Sequence, residues 1–216
     1  MNIYFARHGQ TDWNTLGRVQ GTTDIPLNEA GIQQADHLCD YFENENISLE
    51  KAYTSYQVRA VQTAQIVSDR FQIEYETVPG LEEVNMGVFE GHTWDEIETL
   101  YPAELTKWNS NKRYIRTPGG ESYQMVLERL FRALDSIIDQ YDKSSDKNLL
   151  IISHGGVIMT LIALHEDIRF EESHLKIKIP NALPIMFGIE ELAEIRKKAM
   201  ISIYGLSITQ SDRDER

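Results

Sequence analysis

The stretch Asn2-Ile3-Tyr4-Phe5-Ala6-Arg7-His8-Gly9-Gln10-Thr11 decides how this chain is read. Its apolar, β-type run delivers a cation, an imidazole and a glycine to the point where the backbone must turn, which is where open α/β sheets gather ligands. Arg7 supplies a fixed fork of N–H donors, and Gly9 has no Cβ to keep backbone away from an anion. Histidine is an established covalent catalyst, and phosphoryl transfer asks mainly for positioning and positive charge. His8 is therefore a candidate nucleophile toward phosphorus; the plain alternative for the tripeptide is a hydrogen-bonded turn.

A second unit of the same kind lies far along the chain. Leu149-Leu150-Ile151-Ile152 is a continuous apolar run, the pattern of a central strand buried on both faces, and Ser153-His154-Gly155-Gly156 follows at once, opening a helix near Gly155. Between the two units, residues 51–54 read as a strand ending in Ser55. A helix over 57–71 follows, with Val58, Val61, Ala64, Val67 and Phe71 at core spacing. Arg59 falls in its first turn, where it serves an anion or simply faces solvent. A third strand over 74–78, closed by Pro79-Gly80, precedes the Glu82/Glu83 loop. Each of these chemical groups follows a strand or lies one helical turn beyond it, so parallel neighbouring strands bring them to one sheet edge.

The remaining elements are scaffold. Asn28 caps a helix whose buried side is Ala30, Gly31, Ala35, Leu38, Cys39 and Phe42. Short helical patterns over 93–108, interrupted by Pro102, suggest a lobe outside the sheet, and a long amphipathic helix spans 121–141. Residues 182–189 look like a further strand, 190–198 a helix, 200–206 an edge strand, and 210–216 a frayed tail.

Composition bounds the partners. With 21 Lys plus Arg against 34 Asp plus Glu the formal charge is -13, which argues against nucleic acid or an anionic membrane and requires cations to be concentrated locally if the substrate is an anion. One cysteine, Cys39, excludes an internal disulfide and suits a reducing cytosol. No signal peptide or anchor is visible, so the expectation is a soluble cytoplasmic protein. Nothing identifies a subunit interface.

Phosphate-ester cleavage divides the labour. His8 must be unprotonated on its attacking nitrogen, and His154, if protonated, acts as a clamp. The leaving alkoxide needs a proton from a carboxylic acid; raising a Glu pKa by two units takes roughly 2.7 kcal/mol of environmental preference.

These motifs resemble the histidine phosphatase superfamily, also called phosphoglycerate mutase-like. Arg7-His8-Gly9-Gln10-Thr11-Asp12-Trp13-Asn14 is similar to its R-H-G-x-T-x-W-N signature, and Ser55 through Ala64 resembles S-x-x-x-R-A-x-Q-T-A. Leu81 through Gly91 matches L-x-E-x-x-x-G-x-x-E-G, which places the proton donor at Glu83; Pro118 through Ser122 resembles P-G-G-E-S. The resemblance implies a three-layer α/β/α sandwich with a mostly parallel sheet, as a single domain over 1–216 with a helical insertion at about 92–117. It implies His8 as the phosphorylated nucleophile, Arg7, Arg59 and His154 completing the phosphate pocket, and Asn14, Gln20, Gly21 and Gly155 as further contacts.

Neither a metal nor another cofactor is implied. The expected reaction is hydrolysis of a small phosphomonoester; the alternatives are cofactor-dependent phosphoglycerate mutase-type transfer and a phosphate-binding regulator without turnover. His37, His92, His165 and His174 carry no assigned role. Trp13, Met86, Trp94, Trp108 and Tyr114 are candidates for contact with the organic part of the ester, each equally readable as core.

Overall fold

The computed structural model describes residues 1–211, with side chains described through Met200. In chain order the elements are β1 (Asn2–Arg7), α1 (Asp12–Thr15), α2 (Glu29–Asn44), β2 (Lys51–Thr54), α3 (Val58–Phe71) and β3 (Tyr75–Thr77). There follow α4 (Trp94–Leu100), α5 (Pro102–Ser110), α6 (Tyr123–Ile138), β4 (Asn148–Ser153), α7 (Gly155–His165), α8 (Ser173–Lys176), β5 (Pro184–Gly188) and α9 (Ile189–Ser211).

The strands form one sheet in the order β3-β2-β4-β1-β5. All neighbours are parallel except β5, which runs antiparallel to β1. Alternation along the strands sorts the core into two layers. Tyr4, Ala6, Ala52, Leu150 and Ile152 face α2 and α3 through Leu38, Phe42, Ala60 and Ala64. Ile3, Phe5, Tyr53, Leu149 and Ile151 pack with Leu127, Leu130, Val157, Leu161 and Ile195 of α6, α7 and α9. The expected α/β/α sandwich with a mostly parallel sheet is the one observed.

Three local expectations are corrected. Residues 200–206 are not an edge strand: they continue α9, whose Leu192, Ile195 and Ala199 are buried at helical spacing, while β5 occupies the place beside β1. Ala30 is exposed, because Asn28 caps α2 in a phase that turns Gly31 and Ala35 inward instead. The buried side of α3 is Arg59, Ala60, Thr63, Ala64, Val67 and Ser68, a rotation away from Val58 and Val61 that takes the guanidinium inside. Of the tail, residues 210 and 211 are helical and 212–216 lie outside the described residues.

No helix among the described residues is long and apolar enough to cross a membrane.

The turn after β1 is fixed by glycine against glycine. A Cβ on Gly9 would stand 2.2 Å from the carbonyl oxygen of Gly31, and one on Gly31 would stand 2.1 Å from the carbonyl oxygen of Gln10. Helix α2 thus touches the His8 turn backbone to backbone. Gly31→Ala gains about 1 kcal/mol of helix propensity, yet forcing a methyl into this contact costs roughly 1–3 kcal/mol. Net destabilisation is expected, read as a lower midpoint in urea unfolding; an unchanged or higher midpoint would show that the contact yields.

Candidate active site

Three parallel neighbours, β2, β4 and β1, end at one level, with Arg7 opposite Ser153 and Thr54 opposite Ile152. The residues just beyond them are His8, Ser55 and His154, all buried. The imidazoles of His8 and His154 lie 5.2 Å apart, centroid to centroid. Arg59, from the first turn of α3, donates from Nε to His8 Nε2 at 3.2 Å. Glu83 arrives on the loop after β3, its Oε2 accepting from the Gly156 amide at 3.1 Å and its Oε1 from the Val84 amide at 2.9 Å. Arg7, His8, Arg59, Glu83 and His154 are therefore brought together.

The hydrogen bonds of His8 settle its tautomer. Nδ1 lies 2.6 Å from the Gly9 carbonyl, which can only accept, and Nε2 faces an arginine N–H, which can only donate. Nδ1 carries the proton and Nε2 keeps its lone pair. Burial, then Arg7 and Arg59, holds His8 well below the ordinary histidine pKa, against a smaller opposing effect of the Gly9 hydrogen bond. His154 is likewise held well below it, by burial and then by Arg59, His8, Arg129 and Arg7. Without a bound anion both rings are neutral near pH 7, so His154 is not a standing cation. Its Nε2 lies 2.7 Å from Ser55 Oγ.

Positive charge here comes from the arginines. Arg59 donates to the carbonyls of Thr23 and Gly21, each at 2.8 Å, and Arg7 to that of Ile179 at 3.0 Å. Among the described residues no carboxylate forms an ion pair with either guanidinium. Arg7 Nε and His154 Nδ1 are buried with no hydrogen-bond partner. A buried and a partly buried guanidinium, neither in an ion pair, and two orphaned nitrogens make a place suited to an anion.

Side chains that carry no role in the sequence reading hold the loops. Gln57 donates to the Gly21 carbonyl and accepts from the Glu83 amide, tying the two loops together. The Glu90 carboxylate accepts from the amides of Thr22, Thr23 and Met86. Arg129 donates to the carbonyls of Gly80, Glu82 and Glu83 and is paired with Glu121 at 2.9 Å. The P-G-G-E-S resemblance pointed at Glu121; nothing in the sequence pointed at Arg129, which sits on the apolar-patterned helix α6.

A cavity of about 700 Å³ opens over this group, lined by Arg7, His8, Asn14, Gln20, Arg59 and Glu83 among others. Gly21 is not on its wall; with φ +51° it turns its carbonyl to Arg59. Gly155, beside Arg7, and the fully buried His154 also lie off the wall. Trp13, Met86, Trp94 and Trp108 do line the cavity, whereas Tyr114 does not. His174, without a role in the sequence, lines it too, with Lys112 Nζ 3.1 Å from its Nδ1.

The profile of the histidine phosphatase superfamily (branch 1) matches residues 3–191, and the chain belongs to that family. It is 36% identical over 166 residues to the 6-phosphofructo-2-kinase/fructose-2,6-bisphosphatase of Caenorhabditis elegans, covering 77% of this chain and 34% of that protein. The chain spans about a third of the length of the curated relatives it matches. Among solved structures it is similar to YhfR of Bacillus stearothermophilus, at 31% identity and TM-score 0.75, covering 86% of this chain and 89% of that one. The α-ribazole phosphatase of Shigella flexneri gives 26% identity and TM-score 0.71, with the same two coverages.

Neutral buried imidazoles have a consequence for stability. The unfolded chain protonates both near pH 6.5, while the folded chain resists until lower pH. Below 6.5 the unfolded state therefore binds more protons, and stability that is full above 6.5 falls as pH drops, by up to about 1.4 kcal/mol per pH unit for each ring. Urea unfolding between pH 7 and 5 is expected to show a steeper loss for the natural chain than for a His8→Asn, His154→Asn double variant. Parallel curves would show that the rings titrate freely.

Proposed function

We propose that this chain hydrolyses a small phosphomonoester through a phosphohistidine at His8. The observation that carries the reading is the fixed tautomer of that ring: a lone pair on Nε2, beside an arginine, in a buried site short of negative charge. In the proposed reaction Nε2 attacks phosphorus, the bond to the alcohol oxygen breaks, and that oxygen takes a proton from the Glu83 carboxylic acid. The charge of a bound ester favours the protonated form of a carboxyl beside it. Water then attacks the phosphohistidine, passing its proton to the Glu83 carboxylate. The P–N bond breaks, its electron pair returns to Nε2, and inorganic phosphate leaves.

Arg7 and Arg59 hold the equatorial oxygens and stabilise charge as it shifts, with His154 Nδ1 as a further contact. Asn14 and Gln20 serve from the cavity wall, Gly155 through its amide at the start of α7, and Gly21 indirectly, by fixing Arg59. The named activities of the relatives, a bisphosphatase and a phosphatase, support hydrolysis over transfer to a second substrate position.

Quenching turnover of a radiolabelled ester is expected to trap label on the protein that survives alkali and is lost in acid, and none on the His8→Ala variant. A label stable in acid and lost in alkali would overturn the histidine intermediate. Glu83→Gln is expected to lower kcat by roughly 10²–10⁴; an unaffected kcat would remove Glu83 as proton donor.

A further inference from the structure

The chain has three tryptophans, and all three, Trp13, Trp94 and Trp108, line the one cavity that holds His8. Met86 and Met159 are on the same wall. Trp108 is buried, but Trp94 is 48% exposed, and the two indoles are stacked, 6.1 Å apart and 11° from parallel. One face of Trp94 is thus supported by another ring, and much of the rest of this large apolar side chain is open. Single exposed apolar residues need no explanation; a flat one propped from behind, inside a cavity with other aromatic and thioether groups, is the form of a stacking platform.

The charges of this part of the wall point the same way. Arg18 is engaged by Glu96 and by the Gly91 carbonyl. Lys112 is almost wholly buried, its ammonium 4.6 Å from the Trp108 ring centre and beside His174, and burial brings its pKa down to about 8, partly countered by Glu171. Asp95 and Glu98 also stand on the wall. Opposed charges of this kind give no cluster of free cations for a second phosphate at this end.

Resting on the hydrolase reading above, we infer that the alcohol part of the ester is a planar aromatic group, seated on Trp94 while its phosphate lies among Arg7, His8 and Arg59. The volume suits that assignment: about 700 Å³ admits a phosphate together with a ring or a fused pair of rings. Trp94 is then a specificity-determining residue, remote from the bond that breaks.

Binding of non-hydrolysable phosphonates separates this inference from the chemistry. Calorimetric titration of the full chain with benzylphosphonate and methylphosphonate is expected to show the aryl compound bound about tenfold more tightly, the scale of one aromatic contact with its burial. In Trp94→Ala, checked for a natural far-UV circular dichroism spectrum, that ratio is expected to fall to about twofold or less, and Trp94→Phe to restore most of it. Equal affinities in the natural chain, a ratio untouched by Trp94→Ala, or a polyol phosphonate bound as well as the aryl one would each overturn the aromatic subsite and leave the phosphate site standing. Failure of both phosphonates to bind would overturn the phosphate site itself.

Discussion

A buried guanidinium without a carboxylate partner is the constraint on which this site depends. Desolvating a cation costs several kcal/mol unless it is met by fixed dipoles or an opposite charge. Arg59 is fully buried and is met only by two carbonyls and one imidazole nitrogen. Arg7, only partly buried, is met by a single carbonyl and keeps one orphaned N–H. In a chain whose net charge is -13, the two together make a small region of opposite sign, to which the neutral histidines add no charge of their own. The fold holds an electrostatic deficit of the kind an anion can fill, and in the proposed reaction recognition and transition-state stabilisation would draw on the same groups.

Keeping that deficit in place is the work of loops, and the loops are held by side chains outside the chemistry. The carbonyls that receive Arg59 belong to residues 21–23, which Glu90 and Gln57 pin from two directions. The Glu83 loop is held by Arg129 from α6 and by Glu121, whose carboxylate also receives the Asn85 amide. Gln57 closes the circuit through the Glu83 amide. The loop that receives Arg59 and the loop that carries Glu83 are thereby referenced to one another through one short side chain, rather than each being fixed separately to the sheet.

The strand-turn units were legible because their physics is local: an apolar run, a chemical residue and a glycine are adjacent in sequence, and parallel pairing does the rest. The motif resemblance supplied Glu83 over Glu82, a distinction periodicity could not make. What escaped were properties set by distant packing. The rotation of α3 takes Arg59 inside, where the Gly21 and Thr23 carbonyls receive it, and the spacing of Val58 and Val61 carries no sign of those distant partners. The neutrality of His154 follows from burial and from the nearby Arg59, His8, Arg129 and Arg7. Residues 200–206 carry β-branched residues that look like an edge strand, but the place beside β1 is taken by β5, and the helix that buries Leu192, Ile195 and Ala199 runs on through them instead.

The position of β1 in the sheet also says when the site comes into being. Asn2 pairs with a residue 146 positions later, and the opposite edge of the same strand waits for Phe187 and Gly188. During synthesis on the ribosome the segment bearing His8 emerges long before either neighbour exists, so no fragment ending before β4 can assemble the histidine pair. Pairings this distant close slowly and leave strand edges open meanwhile. His8 thus waits for its setting on strands that are made long after it.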